Sequence, residues 1–230
     1  MYLTLQEARE KLAAIAGHLL KCPAEEVVFQ EGLVFNRQNS GQTIPFSRLA
    51  AAAYDEELLP PGVEPALDFK GSNTLSKSPY AFGAHVAVVE VSPENGAIKV
   101  LKYVAVHDAG RIINPMLAEG QVQGGVVQGI GQALLEGMVY SPEGQPLTGS
   151  LMDYALPRAS NMPELVLDTM ETLSPINPLG SKGIGELPTL AAPVAVVNAV
   201  MDALSRAGVR HIDTPLTPEK IWQALREKMP

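Results

Sequence analysis

The sequence has a single cysteine, Cys22, among its 230 residues, and only four histidines. An intrachain disulfide is therefore impossible, and so is an iron–sulfur cluster held by four cysteines of this chain. The histidines form neither an HExxH motif nor the Cys/His spacing of a zinc site; they are His18, His85, His107 and His211. These absences exclude a disulfide scaffold and the metal sites that have recognisable sequence motifs.

The chain is also poor in charge. Charged residues make up 18% of it, the formal net charge is −8, and no cluster of Lys and Arg offsets that acidity. Such a chain is not expected to bind nucleic acid or an anionic membrane surface nonspecifically. The first residues carry no signal-peptide pattern, and we expect no apolar run long enough to span a bilayer. The expected location is the cytoplasm.

Hydrophobic residues nevertheless make up 46% of the chain, enough for a sizeable core. In the first part, the pattern predicts an amphipathic helix over Leu5–Leu20 and then a hairpin whose turn is Glu31-Gly32. Residues 55–79 are rich in proline, glycine, serine and asparagine, which indicates an irregular connecting segment. We take residues 1–79 as an N-terminal subregion.

Residues 80–230 show a more regular pattern. It predicts two strands joined by an Asn-Gly turn, a long helix, a third strand and two further helices. These elements are expected over residues 85–91, 98–107, 116–138, 164–169 and 188–207, and from 217 onward. Hairpins and helices without regular alternation predict an α+β fold, with a mixed sheet packed against helices. The two subregions are expected to form one continuous structural unit.

A glycine-rich loop, Gly180–Glu186, leads straight into the predicted apolar helix. Glycine lets a backbone approach another group closely, and a helix start offers unpaired N–H donors that suit an anion. Glu186 ends the loop with a carboxylate that can act as a base. The loop matches neither GxGxxG nor the spacing of a P-loop. A plain turn, with Glu186 placed at the helix start by the helix dipole, stays open as the simpler interpretation.

The predicted helix 116–138 has an unusual polar face. At 100° per residue, Gln121, Gly125, Gln128 and Gln132 lie close together on a helix that we expect to be largely buried. Buried amides are costly unless they are paired. A polar ligand along the helix and a glycine-rich packing interface are both compatible with this pattern.

Five motifs occur in a distinctive order along the chain. They are HDAGRIINP at 107–115, EGQVQGG at 119–125, QGIGQ at 128–132, MDYALP at 152–157 and GSKGIGE at 180–186. Together they resemble the C-terminal part of the molybdenum-binding large subunit of the xanthine dehydrogenase/aldehyde oxidase family. The resemblance is nearest to carbon monoxide dehydrogenase-like large subunits, and it extends over nearly the whole chain.

The resemblance implies a molybdenum–pterin cofactor, in bacterial members often a cytosine dinucleotide. It implies a hydroxylase that acts on an aldehyde, an N-heterocycle or a similar small molecule, or that oxidises carbon monoxide. Glu186 matches the family's general base, and Gln121 matches a glutamine that hydrogen-bonds the pterin. The other cofactor-binding positions it implies are Ser181, Lys182, Gly183 and Gly185 in the loop, with Asp108, Gly110 and Asn114 near the dinucleotide end.

The resemblance also implies partners. The N-terminal portion of the family's molybdenum subunit is not in this sequence, and we see no iron–sulfur or flavin motif. We therefore expect a chain carrying that portion, an iron–sulfur subunit, a flavin subunit and a small-molecule substrate, with no activity from this chain alone. The alternative is a truncated, non-catalytic fragment or scaffold module of the same family. A small anion-binding protein that uses only the glycine loop is a third hypothesis.

Overall fold

The computed structural model describes residues 1–75 and 77–228, and the chain divides into two compact units. The units are Met1–Thr74 and Leu75–Pro230. Each has its own cluster of buried hydrophobic side chains. Hairpins and helices occur in both without a regular strand–helix alternation, so the fold is α+β, as the sequence predicts.

The first unit consists of a three-stranded antiparallel sheet and two helices. Its elements are α1 (Tyr2–Leu20), β1 (Val27–Gln30), β2 (Leu33–Asn36), β3 (Asn39–Pro45) and α2 (Phe46–Ala52). The predicted helix and hairpin are confirmed, and Glu31 and Gly32 form the turn with φ angles of 49° and 78°. Strand β3 was not predicted because its residues are polar and nearly all exposed, so it lacks the alternation of a half-buried strand.

The second unit combines three strands with three helices. Its elements are β4 (Phe82–Val91), β5 (Ile98–Asp108), α3 (Pro115–Leu134), β6 (Glu164–Met170), α4 (Leu187–Ser205) and α5 (Pro218–Lys228). The strands form a mixed sheet in the order β4-β5-β6, in which β4 is antiparallel and β6 parallel to β5. The predicted elements are all present, although α3 ends at Leu134 rather than at 138.

One face of this sheet forms the core together with α3 and α4. Tyr103 and Ala105 of β5 are fully buried in the same cluster as Val126 of α3 and Val196 of α4. Full burial of a large apolar side chain, such as that of a valine in this cluster, stabilises the fold by about 1.5–3 kcal/mol. Because β5 is the central strand, this core fixes where its carboxyl end lies, and with it the residues that follow.

Helices α3 and α4 approach each other closely at glycines. A Cβ built on Gly129 would lie only 2.4 Å from the Cβ of Ala192. Gln121, Gln128 and Gln132 are exposed, so the expectation of a largely buried amide face is wrong. Glycine and not glutamine meets the neighbouring helix, so the structure contains the glycine-rich packing interface and leaves the glutamine face open to a polar ligand.

Helix α4 is apolar over most of its length. It meets the length and composition of a membrane-spanning helix, with a mean hydropathy of 1.6 over its best window. The expectation that no apolar run reaches that length is therefore wrong. Ala192, Val196, Val200 and Leu204 of this helix are buried in the core cluster, which accounts for much of its apolar character without a membrane.

Candidate active site

The glycine loop lies beside the chain segment that follows β5. The N–H of Lys182 donates to the carbonyl of Ala109 at 2.8 Å, and the N–H of Arg111 donates to the carbonyl of Gly180 at 3.2 Å. The two hydrogen bonds make a short antiparallel bridge between the segments. The bridge pairs Gly110 with Ser181, so segments about 70 positions apart in the sequence are held side by side.

The crossing of these segments requires glycine at two positions. Gly110 has a φ of +61°, and a Cβ there would lie 2.1 Å from the carbonyl oxygen of Gly180. Gly180 itself has a φ of +70° and would place a Cβ 2.9 Å from the side chain of Leu173. Only glycine tolerates both the positive φ and the close backbone approach. Gly110 was expected to be a cofactor-binding position, and its contact in this chain is with the loop.

A buried ion pair lies beneath the bridge. Oδ1 of Asp108 accepts from Nζ of Lys182 at 2.9 Å and from the N–H of Gly110 at 2.8 Å, and Oδ2 accepts from the hydroxyl of Thr172. The side chains of Asp108 and Lys182 are 0% and 7% exposed. The ammonium group also lies 4.7 Å from the centre of the Phe82 ring. Both charges are therefore satisfied within the chain.

These contacts set the ionisation of Asp108. Burial by itself raises the pKa of this carboxyl, but the hydrogen bonds from Thr172, Lys182 and Gly110 outweigh it and hold the pKa well below its usual value. The carboxylate is thus ionised at neutral pH. Asp108 and Lys182 were both expected to bind the cofactor, which stays a prediction; within the described chain their side chains fix the loop to the end of β5.

A cleft of about 360 Å³ opens beside the loop. It brings together four of the predicted site residues: Asn114, Gln121, Ser181 and Lys182. Arg111 and a set of apolar residues complete its lining, the latter including Ile112, Ile113, Leu117 and Ile184. The cleft therefore offers a few polar groups on an apolar wall, which is the usual composition of a small-molecule site.

Gln121 and the end of the loop face each other. Gln121 is exposed on α3, and a Cβ built on Gly185 would lie 3.8 Å from its amide oxygen. Glu186 follows as the N-cap residue of α4, but its side chain makes no capping hydrogen bond and is exposed. The side chain is therefore not a hydrogen-bonding cap, while its position at the helix start agrees with the simpler interpretation through the helix dipole. This carboxylate does not line the cleft itself; it stands one residue beyond Gly185.

The loop also carries backbone donors without acceptors. Among the described residues, no acceptor is hydrogen-bonded to the N–H of Gly183, Ile184 or Gly185. Gly183 and Gly185 are exposed. These three successive N–H groups, just before the N-cap of α4, are available as donors to an electron-rich ligand.

Two asparagines shape this region, and only one was predicted. Asn114 accepts from the N–H of Leu117 at 3.1 Å and so caps α3. Asn177 hydrogen-bonds both backbone groups of Ser181. Its Nδ2 donates to the carbonyl of Ser181 at 2.8 Å, and its Oδ1 accepts from the N–H of Ser181 at 3.2 Å. The Asn-Pro pair at 177 is a turn signal that could have revealed this role. Thr172 had no such signal, because its partner lies far away in sequence.

A second titratable cluster lies on the covered face of the sheet. Nδ1 of His85 is 2.7 Å from the hydroxyl of Tyr103, and its Nε2 is 2.8 Å from Nε2 of His107. Burial, and then the neighbouring charge of His107, lower the pKa of His85 to about 4. Burial also lowers the pKa of His107 and raises the pKa of Tyr103. These groups belong to the core and not to the cleft.

A family model for the molybdopterin cofactor-binding domain matches residues 1–163, which is more than half of the chain. The chain belongs to this family. The resemblance inferred from the five motifs is thereby confirmed, and molybdenum–pterin is the cofactor that the family implies. The loop Gly180–Glu186 lies beyond the end of the matched residues.

Curated relatives extend the match of this molybdopterin-binding chain. It is 38% identical over 219 residues to the nicotine 6-hydroxylase large subunit of Paenarthrobacter nicotinovorans, covering 95% of this chain and 27% of the relative. It is 32% identical over 226 residues to the carbon monoxide dehydrogenase large chain of Hydrogenophaga pseudoflava, covering 98% and 28%. Both relatives are named as a large subunit or large chain, and the matched part is about a quarter of each.

A solved structure agrees with this assignment. The crystal structure of quinoline 2-oxidoreductase from Pseudomonas putida 86 matches with a TM-score of 0.89 and 39% identity, over 96% of this chain and 28% of the other. The molybdopterin-binding chain thus spans little more than a quarter of the length of the relatives it matches.

Proposed function

We propose that this chain contributes Glu186 and Gln121 to the molybdenum–pterin active site of a hydroxylase, and that protein outside this sequence completes the site. The observation that carries the proposal is the loop end itself. There, three N–H groups without acceptors, an exposed carboxylate and the Gln121 amide adjoin one another in a chain of the molybdopterin-binding family.

The donor set fits the cofactor. A pterin has polar edges that need neutral hydrogen-bond partners, and the amide of Gln121 with the N–H groups of Gly183 and Gly185 supplies them without adding charge. Of the two cations that line the cleft, Lys182 is already paired with Asp108, and Arg111 lies 3.9 Å from a carboxylate oxygen of Glu171. When bound, the molybdenum–pterin group supplies the two-electron acceptor of the oxidation. Asn114 and Ser181 lie along the cleft in positions suited to the dinucleotide portion.

Glu186 is proposed as the general base. Hydroxylation of a carbon centre requires a proton to be removed from the attacking oxygen, and a carboxylate within hydrogen-bond reach does this. Because its side chain makes no capping hydrogen bond, Glu186 is free to accept that proton. Asp108 and Lys182 act as positioning residues, since their ion pair holds the loop whose end presents the base.

The proposed substrate is an aromatic N-heterocycle. The relatives named for nicotine and quinoline are 38% and 39% identical to this chain, whereas those named for carbon monoxide are 34%, 32% and 28% identical. The proposed partners are the remaining portion of the large subunit, an iron–sulfur subunit and a flavin subunit, in the cytoplasm. Relatives named as a large subunit and as subunit gamma of a dehydrogenase complex support a multi-subunit enzyme.

The test is Glu186→Gln in the complex purified with its partner chains. We expect molybdenum and pterin content to stay unchanged and turnover to fall by about 10²–10⁴-fold, the usual contribution of general base catalysis. Glu227→Gln, an identical change in an exposed residue of α5, is the matched control and should keep full turnover. Turnover retained in Glu186→Gln would refute the base assignment. A wild-type complex without metal or pterin would favour the non-catalytic scaffold instead.

A further inference from the structure

A second cavity, of about 480 Å³, opens where three elements of the second unit end. Its lining includes Val91 at the end of β4, Ala203, Leu204 and Arg206 around the end of α4, and Leu225 and Lys228 at the end of α5. It shares no residue with the cleft beside the glycine loop. Its volume lies within the range of about 300–1,000 Å³ that small-molecule sites occupy. We call it the basic cavity, after the two cations of its lining.

The floor of the basic cavity belongs to the core. Leu204 and Leu225 are only 3% and 6% exposed and are members of the buried cluster, and Val91 packs against that cluster. The turn between β4 and β5 is packed against α5, since a Cβ built on Gly96 would lie 2.0 Å from the carbonyl oxygen of Pro218. The walls are therefore held by the packing of the unit, and the cavity exists before any ligand binds.

The charge of the basic cavity contrasts with that of the whole chain. The chain has a formal net charge of −8, yet both charged residues of the lining, Arg206 and Lys228, are cations. Among the described residues, neither forms a salt bridge with a carboxylate. Glu94 of the nearby turn accepts from the hydroxyl of Ser92 at 2.8 Å. The two cations are thus available to an anion.

Helix dipoles account for part of this arrangement. Arg206 is the C-cap residue of α4 and Lys228 lies in the last turn of α5, and a cation is favoured at both places. That explains either cation by itself, because the dipole of a helix acts within its own last turn. It does not explain why the two cations line one cavity with an apolar floor.

We propose that the basic cavity binds a small organic acid, with its apolar body on Leu204 and Leu225 and its carboxylate between Arg206 and Lys228. A guanidinium group suits a carboxylate because it can donate two parallel hydrogen bonds, and an ammonium group adds a compact positive charge. A few convergent polar groups over an apolar wall are the usual composition of such a site.

This acid is not the molecule on which Glu186 is proposed to act. Glu186 is the N-cap residue of α4 and Arg206 its C-cap residue, so the 19-residue helix lies between them. At 1.5 Å per residue, the two ends are roughly 30 Å apart. The basic cavity is therefore a second binding site, and the inference does not rest on the proposed function.

The experiment measures binding and compares two probes. The first is 2-naphthoate, whose fused rings carry a single carboxylate, titrated into the 230-residue chain and followed by backbone amide shifts in NMR spectra. We expect a Kd of about 1 mM or tighter, with the largest shifts at residues that line the basic cavity. The second is 2-naphthalenemethanol, in which a neutral group replaces the carboxylate. It should bind at least about tenfold more weakly.

Matched variants locate the site. Arg206→Gln removes one cation and should weaken the binding of 2-naphthoate by about tenfold, because a hydrogen bond between charged groups is lost. Arg210→Gln is the control, since Arg210 is exposed and is not among the lining residues, and it should bind like the wild type.

A second pair of variants differs in charge alone. Ala203 is exposed at the basic cavity, and Ala203→Asp should bind 2-naphthoate at least about fivefold more weakly than Ala203→Asn. Because Ala203 has neither a charge nor a cap to lose, this pair tests the site even where Arg206→Gln disturbs the end of α4.

Each other result overturns the proposal. Equal affinity for the carboxylate and the neutral alcohol would reduce the basic cavity to an apolar patch. Equal weakening by Arg206→Gln and Arg210→Gln would show attraction by surface charge in general, and shifts confined to the cleft would place the acid there instead. Absence of 2-naphthoate binding below about 10 mM would refute the site. Turnover plays no part in this assay, so its outcome is independent of the Glu186 test.

Discussion

The close contact between α3 and α4 can be tested by adding a single methyl group. In Gly129→Ala the new Cβ would lie 2.4 Å from Cβ of Ala192 and 2.8 Å from Cδ of Pro193. Carbon atoms pack at about 3.5–4.0 Å, so the helices must separate by about 1 Å. Overpacking of this kind costs about 1–3 kcal/mol. Replacing a helix-interior glycine by alanine also stabilises the helix, by about 0.5–1 kcal/mol, and this gain must be separated from the cost.

Gly124→Ala isolates the propensity gain. Gly124 lies in the same helix, and a Cβ there meets nothing within 4 Å. We expect this variant to be more stable than the wild type and Gly129→Ala to be less stable. The two should differ by the steric cost alone, about 1–3 kcal/mol, or roughly 2–12 °C in Tm for a unit of this size.

Fluorescence of Trp222, the chain's one tryptophan, is the assay, because this residue lies in α5 of the same unit. Thermal and urea unfolding should give the same order of stability. If Gly129→Ala proves as stable as Gly124→Ala, the two helices are not in contact at that glycine and the packing described above is wrong. If Gly124→Ala is destabilised instead, the face around Gly124 is not open in solution.

Three further changes probe the core, the ion pair and the loop. In the unfolded chain His85 binds a proton near pH 6.5, whereas in the folded chain its pKa is about 4. The free energy of unfolding should therefore fall as the pH drops from 6.5 to 4. His85→Gln should reduce this pH dependence in urea titrations. Lys182→Met should lower the urea midpoint at pH 7, because it leaves Asp108 charged and buried without its partner. Adding Asp108→Asn should recover part of the lost stability. If the destabilisations of the two single variants simply add in the double variant, the two side chains do not form a direct pair. Gly183→Ala should unfold like the wild type but carry less molybdenum in the complex; unchanged metal content would argue against a cofactor close to this backbone.

Local patterns predicted most elements of this fold, because their signals lie within a few residues. The turn at Glu31-Gly32 and the apolar runs of β4 and β5 are examples. Strand β3 escaped prediction because its polar, exposed residues carry no alternation. The exposure of the glutamines on α3 was not predicted either. The sequence shows which residues share a helical face, but not which element packs against that face. Glycine on that helix was the better guide to where the next helix lies.

The candidate site likewise has features that could be predicted from the sequence and features that could not. The loop and its terminal carboxylate could be recognised as a motif, but the contacts that hold the loop could not. Asp108 meets Lys182 and Thr172 only because a parallel strand brings distant segments to one end of the sheet. Both ion-pair residues were expected to face the cofactor. A charged residue in a motif indicates a site, yet the sequence alone does not say whether it binds the ligand or holds the residue that does.

The glycines of the loop region show how those two tasks are separated. Gly110 and Gly180 are required by the chain itself, because each has a positive φ and would clash with a neighbour if it carried a Cβ. Gly183 and Gly185 have neither constraint: their φ angles are not positive, and nothing stands closer than 3.8 Å to a Cβ built on either. Nothing within the described chain therefore demands glycine at these two positions. Glycine there costs conformational entropy on folding, and close approach of a group from outside to the backbone would account for glycine at both positions. Since the N–H groups of both residues are also free, the simplest group that accounts for both facts is a polar ligand lying along the loop, beside the carboxylate of Glu186.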